Sequence, residues 1–205
     1  MLEIFAKLGV KKIIPTPHIY KDIYPNTPLI IKKKYESYIT NPTIKKHPIK
    51  HVNYGAEYMV DEFFKNQINS INPQLLTCFK NYVLIEIPFF GDLKLLKEVI
   101  FKLKSMEINP ILAHPERYFN LKNIEEISEL KDRGIYLQLN ALSLTNYYGN
   151  ETKNKASMIL KGGLYDFICT DAHKVKQLNI IKDIKLSSIE NKIIGKIIDF
   201  QNTLI

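Results

Sequence analysis

The stretch Ile111-Leu112-Ala113-His114-Pro115-Glu116-Arg117-Tyr118 is a run of apolar residues that ends abruptly in histidine, proline, glutamate and arginine. It reads as a buried strand whose last side chain is a metal ligand. Parallel α/β proteins present their chemistry in this way, because the loops at the carboxyl ends of the strands open on one shared cleft. Other residues occupy corresponding places. His18 follows the segment 10–17, Glu57 follows 51–56 and Glu86 closes 82–85, while Asp171 and His173 follow 165–170. Six nitrogen and oxygen donors are thus spread over five expected strands.

A chain of 205 residues is long enough for one well-buried domain and short for two, so a single domain over residues 1–205 is expected. Hydrophobic residues make up 45% and charged residues 24%, an ordinary globular balance. No apolar run approaches membrane-spanning length. The opening segment 1–9 lacks the basic start and small-residue cleavage site of a secretory signal, so a cytoplasmic location is expected. The formal charge of +8, from 29 basic against 21 acidic residues, favours anionic partners such as phosphorylated substrates. The lysines are spread along helices without a block of interleaved aromatics, which argues against nucleic acid. Cys78 and Cys169 are too few for a disulfide framework. Neither is followed six positions later by the arginine that the loop of a thiol-based phosphatase needs.

Residues 2–8 read as a short helix stopped at Gly9, which implies a strand before it. Lys12 to Pro15 is expected as the first strand and His51 to Tyr54 as the second. Between them lie a helix from Thr27-Pro28 to about Tyr38 and a loop over 41–48. A short helix over 60–68 leads to a third strand, Tyr82 to Ile85, whose continuous apolar character suits a sheet covered on both faces. Leu93, Leu96, Val99, Ile100 and Leu103 recur at helical spacing and predict a helix over 92–106. Further strands are expected at 110–113, 135–139 and 167–169, with helices around 124–133, 157–160 and 187–200. This alternation points to an α/β fold with a parallel sheet, closed or nearly closed, and helices outside. An open doubly wound sheet is the alternative, but donors gathered from five strands suit a barrel mouth better.

An unpaired carboxylate at Glu86, after three apolar residues, is costly to bury unless a cation or a donor meets it. Asp171-Ala172-His173 puts two donors on one side of an extended segment. Glu57 has Asp61 and Glu62 as rivals for the same role. Histidine and carboxylate without thiolate point to Zn, Mn or Fe. Arg117, three residues after His114, suits either bidentate capture of a phosphoryl oxygen or a surface ion pair.

The segments Thr16-Pro17-His18, Gly55-Ala56-Glu57, Leu84-Ile85-Glu86, Ala113-His114-Pro115-Glu116-Arg117 and Thr170-Asp171-Ala172-His173, in this order and at these separations, resemble the bacterial capsular-polysaccharide tyrosine phosphatases of the polymerase and histidinol phosphatase (PHP) superfamily. The resemblance runs from Gly9 to His173. It implies a distorted (βα)7 barrel, here with six strand-helix units, around a trinuclear cleft of divalent metal ions, manganese foremost with iron or zinc as alternatives. The implied activity is hydrolysis of phosphotyrosine on the tyrosine-rich tail of an exopolysaccharide-assembly kinase, with membrane contact only through that kinase. Carried over by motif, Glu57 bridges two metals, and Glu86 with His114 completes the ligands of one of them. Asp171 serves the other metal that Glu57 bridges, His18 and His173 hold the third, and Arg117 binds the substrate phosphate. The implied mechanism is attack on phosphorus by metal-activated hydroxide, with the equatorial oxygens stabilised by the metals and Arg117.

Two departures from the family pattern bear on these expectations. The family opens with a strand carrying His-x-His and a later acidic ligand, and this sequence is expected to begin after them, which leaves full protein ligation only to the Glu57, Glu86 and His114 position. The second phosphate-binding arginine after the Asp-x-His motif is absent. Lys174 and Lys176 are the nearest basic residues, and Lys176 is the expected substitute, with charge but no fork. Strand edges left beside the cleft predict poor solubility or oligomerisation. Two rival readings are a catalytically impaired descendant or fragment that binds a phosphotyrosine partner, and a PHP phosphatase of small phosphate esters.

Overall fold

The computed structural model describes residues 1–205. In chain order the elements are α1 (Leu2–Lys7), β1 (Lys12–Ile13), β2 (His18–Ile19), α2 (Pro28–Thr40), α3 (Pro42–Lys45), β3 (Lys50–His51), β4 (Glu57–Met59), α4 (Glu62–Ile68), β5 (Tyr82–Glu86), α5 (Leu93–Ser105), β6 (Asn109–Ala113), α6 (Ile124–Asp132), β7 (Tyr136–Asn140), α7 (Asn150–Lys161), β8 (Phe167–Cys169), α8 (Val175–Lys182) and α9 (Ser188–Leu204). Single 3₁₀ turns follow β6 at Pro115–Arg117 and β7 at Ala141–Leu144. No helix is long and apolar enough to cross a membrane.

Six strands form one all-parallel sheet in the order β2-β4-β5-β6-β7-β8, and β1 pairs with β3 beside it. The order never reverses, so the sheet is wound in one direction, as in a barrel, and has no doubly wound switch point. The two edge strands are β2 and β8. The edge of β8 is covered by α9, whose Gln201 side chain accepts a hydrogen bond from the Ile168 N–H at 3.2 Å. That contact satisfies a group that would otherwise invite another strand.

The alternation of side chains along each strand separates two apolar clusters. Val83, Ile85, Leu112, Leu137 and Leu139 pack outward with Leu96, Val99, Ile100 and Leu103 of α5 and with Ile127 and Leu130 of α6. Tyr82, Leu84, Ile111, Ala113 and Phe167 form a smaller cluster on the other face, with Tyr136 against it. Ile19 and Tyr58 belong to the outer cluster, which puts their neighbours His18 and Glu57 on the inner face. Glu86 follows Tyr82 and Leu84 at spacing two, and Gln138 and Asn140 follow Tyr136 in the same way. The inner face is therefore apolar below and polar above.

The expected first and second strands are each interrupted. Pro15 and Pro17 have no N–H to donate, so pairing of the segment 12–19 with 50–59 breaks into β1 with β3 and β2 with β4. Their carbonyls still accept from Gly55 N at 3.0 Å and Glu57 N at 3.1 Å. Gly55 is needed there, because a Cβ would sit 2.8 Å from Cys78 Sγ. His18 and Glu57 accordingly open short strands; sequence pattern had placed them after longer ones. The expected loop over 41–48 contains α3, started by the Asn41 side chain, which accepts from Thr43 N, and by Pro42 at its first turn. The helix α8 was not anticipated, because its start carries Lys174 in place of the usual Ser, Thr, Asp or Asn. Gln177 serves instead, its side-chain oxygen accepting from His173 N and Lys174 N, both at 2.8 Å.

Leu112 is fully buried between β6 and the helices. Leu112→Ala is expected to cost about 2–5 kcal/mol, read as a lower denaturation midpoint in urea with an unchanged slope; a loss under about 1 kcal/mol would contradict this packing.

Candidate metal centre

At the upper end of the inner face four side chains meet. His18 stands in register with Glu57, and Met59, two residues further along β4, stands in register with Glu86. His18 Nδ1 lies 3.1 Å from Glu57 Oε2 and 2.9 Å from Glu86 Oε1. His114 Nε2 lies 3.3 Å from the other oxygen of Glu57 and 3.9 Å from the other oxygen of Glu86. The donor atoms of His18, Glu57 and Glu86 all fall within 4.8 Å of one another. Glu57 is only 4% exposed and His114 only 3%. The rivals of Glu57 are used elsewhere: Asp61 caps α4 by accepting from Phe64 N at 2.7 Å, and Glu62 is exposed beside Lys65.

Backbone conformation aims two of the donors. His114 is left-handed, with φ 37° and ψ 55°, and Asp171 has φ 44°. Histidine and aspartate tolerate this region better than most residues, and the cost is met where side-chain direction matters. The His114 turn is fixed by its N–H bond to Gln138 O at 2.8 Å and by Arg117 N donating to His114 O at 2.9 Å.

Beside this cluster lies a second group. Arg117 Nη1 donates to Asp171 Oδ2 at 3.3 Å, and Asn140 Nδ2 donates to the same oxygen at 3.0 Å. The Arg117 guanidinium lies 4.6 Å from the centre of the Tyr148 ring and 5.4 Å from that of Phe89. His173 stacks on His18 with centroids 5.6 Å apart, its side chain 56% exposed, and Tyr24 also stacks on His18, at 4.9 Å. Lys176 is exposed in the first turn of α8 and makes no ion pair. The structure thus brings His18, Glu57, Glu86 and His114 together, sets His173 against their open side, pairs Asp171 with Arg117, and gives Lys176 no ion pair.

Glu116 lay outside the sequence expectations. It is 2% exposed, and its carboxylate accepts from Asn140 N at 3.1 Å and from the Tyr165 hydroxyl at 2.9 Å. Asn140 also stands outside the sequence expectations. The signal for it is the pattern Tyr136-Leu137-Gln138-Leu139-Asn140, which puts a polar side chain at the top of the inner face of β7.

The chain matches the family described as capsular polysaccharide synthesis, CpsB/CapC, over residues 1–192. It belongs to the CpsB/CapC family. Among its relatives, the tyrosine-protein phosphatase YwqE of Bacillus subtilis is 26% identical over 185 residues, covering 87% of this chain and 70% of that protein. The tyrosine-protein phosphatase CpsB of Streptococcus pneumoniae is 28% identical over 180 residues, covering 82% and 70%. The fold matches a crystal structure from work on YwqE and CpsB, described there as unique metal-dependent tyrosine phosphatases. That match has a TM-score of 0.79 at 22% identity and covers 100% of this chain and 86% of the other.

The donor set of this CpsB/CapC chain fits a divalent cation. His18 Nδ1 and His114 Nδ1 are buried without a hydrogen bond. For His18 Nδ1 the separations from Glu57 and Glu86 are those of ion pairs, while the ring's bonding direction meets neither oxygen. Glu57 and then Glu86 draw the His18 pKa up to about 10. Burial alone would raise the Glu57 carboxyl, but His114 and His18 outweigh it and hold the group below the usual carboxylate range. Burial depresses His114, and Glu57 more than offsets that. Two carboxylates facing two imidazole rings place negative charge and nitrogen donors together, a combination that a divalent cation can satisfy in place of protons. Burial pushes the Cys78 thiol up to about 12 and the Cys169 thiol well above its ordinary value.

Mn²⁺ at 100 times its dissociation constant is expected to stabilise the chain by about 2.7 kcal/mol, seen as a higher melting temperature that Glu57→Gln abolishes. An unshifted melt in the folded wild-type chain would rule out cation binding here.

Proposed function

We propose that this chain is a metal-dependent phosphotyrosine phosphatase acting on a protein partner in capsule or exopolysaccharide assembly. The observation that carries the reading is the meeting of His18, Glu57, Glu86 and His114 beside an arginine held between two aromatic rings. Membership of the CpsB/CapC family, and the tyrosine phosphatases YwqE and CpsB among its relatives, support the same chemistry. On this reading His18, Glu57, Glu86 and His114 hold divalent ions, manganese foremost, with Asp171 and His173 serving from the open side. A cation bound there supplies Lewis-acid charge and lowers the pKa of a water molecule.

The protein's own contribution is positioning and charge. Arg117 offers two parallel donors to phosphate oxygens, and the rings of Tyr148 and Phe89 lie against its guanidinium. Its present partner, Asp171 Oδ2, is the kind of oxygen that a phosphoryl oxygen replaces. Asn140 also donates to Asp171 Oδ2, which places that carboxylate independently of Arg117. Lys176 would add charge at the rim. The partner on this reading is the phosphorylated tyrosine-rich tail of a capsule-assembly kinase, with the phosphatase in the cytoplasm. Small aliphatic esters form the rival substrate class. The rings of Phe89 and Tyr148 against Arg117 favour an aryl phosphate over them.

The test is hydrolysis of a phosphotyrosyl peptide by this chain with Mn²⁺. Turnover is expected to stop with chelator, and Arg117→Ala should lower kcat/KM about 100- to 1,000-fold, with Arg117→Lys recovering little of it. Equal turnover with chelator present, or equal rates on phosphoseryl and phosphotyrosyl peptides, would refute the assignment.

A further inference from the structure

Three phenylalanines stand in solvent beside Arg117: Phe89 is 49%, Phe90 80% and Phe119 53% exposed. Phe90 and Phe119 stack with centroids 5.1 Å apart and 14° between their planes, and Phe89 lies 6.3 Å from Phe119. Rings this exposed contribute little to folding, and a contiguous group of them marks an interaction surface. The backbone holds them in place. Phe119 N donates to Phe89 O at 3.3 Å, Gly91 N donates to Pro88 O at 2.7 Å, and the Asn120 side chain donates to Gly91 O. The buried Tyr118 hydroxyl accepts from Ile87 N at 3.3 Å. A Cβ on Gly91 would meet Pro88 O at 2.9 Å, so the turn has no room for a side chain. The segment after β5 and the segment after the Pro115–Arg117 turn are thereby tied into one face.

This face is continuous with the candidate site, because Phe89 also lies against the Arg117 guanidinium at 5.4 Å. A ligand that reaches both has an anionic end for Arg117 and aromatic groups next to it. Arg117 and the net charge of +8 select the anion, and the ring faces select its aromatic neighbours. We propose that Phe89, Phe90 and Phe119 form a subsite for an aromatic side chain adjoining the phosphotyrosine of the substrate peptide. The chain then selects phosphotyrosine set among other aromatic residues. The proposal rests on the reading of Arg117 as the phosphate-binding residue of a phosphotyrosine phosphatase.

The experiment uses two phosphotyrosyl peptides that differ only in having tyrosine or alanine on both sides of the phosphotyrosine. With the Mn²⁺-loaded chain, KM is expected to be about 3- to 10-fold lower for the tyrosine-flanked peptide, the range of one aromatic pair. Phe90→Ala and Phe119→Ala should shrink that gap to under about twofold, with kcat moving less than KM, while Phe90→Trp keeps a ring face and preserves it. Unchanged melting temperatures would show that these exposed positions leave the fold intact. Fluorescence anisotropy with the same peptides carrying a non-hydrolysable phosphonate reads the preference without turnover. A flank preference in binding with no hydrolysis would retain the subsite and refute the phosphatase reading. Hydrolysis with no flank preference in either measurement would refute the subsite and leave the phosphatase reading standing. A chain that binds neither peptide overturns the subsite. So does a dimer that Phe90→Ala dissociates without changing KM, which would assign the face to a second copy of the chain.

Discussion

A carboxylate almost sealed from water sets the terms for the upper half of this protein. Glu57 is 4% exposed and has a histidine on each oxygen, His18 at 3.1 Å and His114 at 3.3 Å. Without such partners its burial would cost several kcal/mol. The surrounding backbone is arranged to bring them. A strand of only two residues, β2, joins the sheet edge in the one register that sets His18 level with Glu57. On the other side the chain leaves β6 through a left-handed residue, which carries the His114 ring back over the inner face.

The same sheet does two unrelated jobs because its two faces are chemically independent. Outward residues such as Val83, Ile85, Leu112 and Leu137 meet helices and supply most of the buried apolar surface. The inner face changes character with height. Tyr82, Leu84, Ile111 and Phe167 fill it below with Tyr136 against them, whereas Glu86 stands above Tyr82 and Leu84 on β5, and Gln138 and Asn140 stand above Tyr136 on β7. Apolar filling below gives the donors above a dry floor, which strengthens each electrostatic contact they make. Stability and chemistry are thus separated by one residue of register, and a slip by one would exchange them.

Much of this architecture was legible in the sequence, for reasons that differ between its halves. From Tyr82 onward the strands are apolar runs bounded by helices with a clear 3.6-residue period, so β5, β6, β8 and α5 fall within a residue or two of expectation. Before Tyr82 the strands are two or three residues long and broken by Pro15, Pro17 and Gly55. A two-residue strand has no period to read, and its existence depends on the partner strand. The candidate donors were nonetheless visible, because a charged residue closing an apolar run is a local signal. Their pairing was not. Nothing along the chain says that His18 lies against both Glu57 and Glu86, or that Asp171 takes Arg117 and Asn140 as partners. Glu116 was the least legible, since its burial comes from Tyr165 and Asn140, far away in sequence.

The placement of Arg117 can be traced back through that buried carboxylate. Glu116 accepts from the Asn140 backbone and from Tyr165, which pins the end of β7 beneath the cleft. The Asn140 side-chain oxygen is then occupied by Leu142 N at 2.9 Å, so its amide nitrogen is the group that faces Asp171. Asp171 Oδ2 receives both that donor and Arg117, while its Oδ1 lies 3.7 Å from His173 Nδ1. Arg117 has further donors, because its contacts to the Tyr148 and Phe89 rings leave its other nitrogens unoccupied. The network therefore ends in a cation with donors largely free, next to a cluster of oxygen and nitrogen donors that could hold a metal. On the proposed reading, a tetrahedral dianion is a ligand that satisfies both at once.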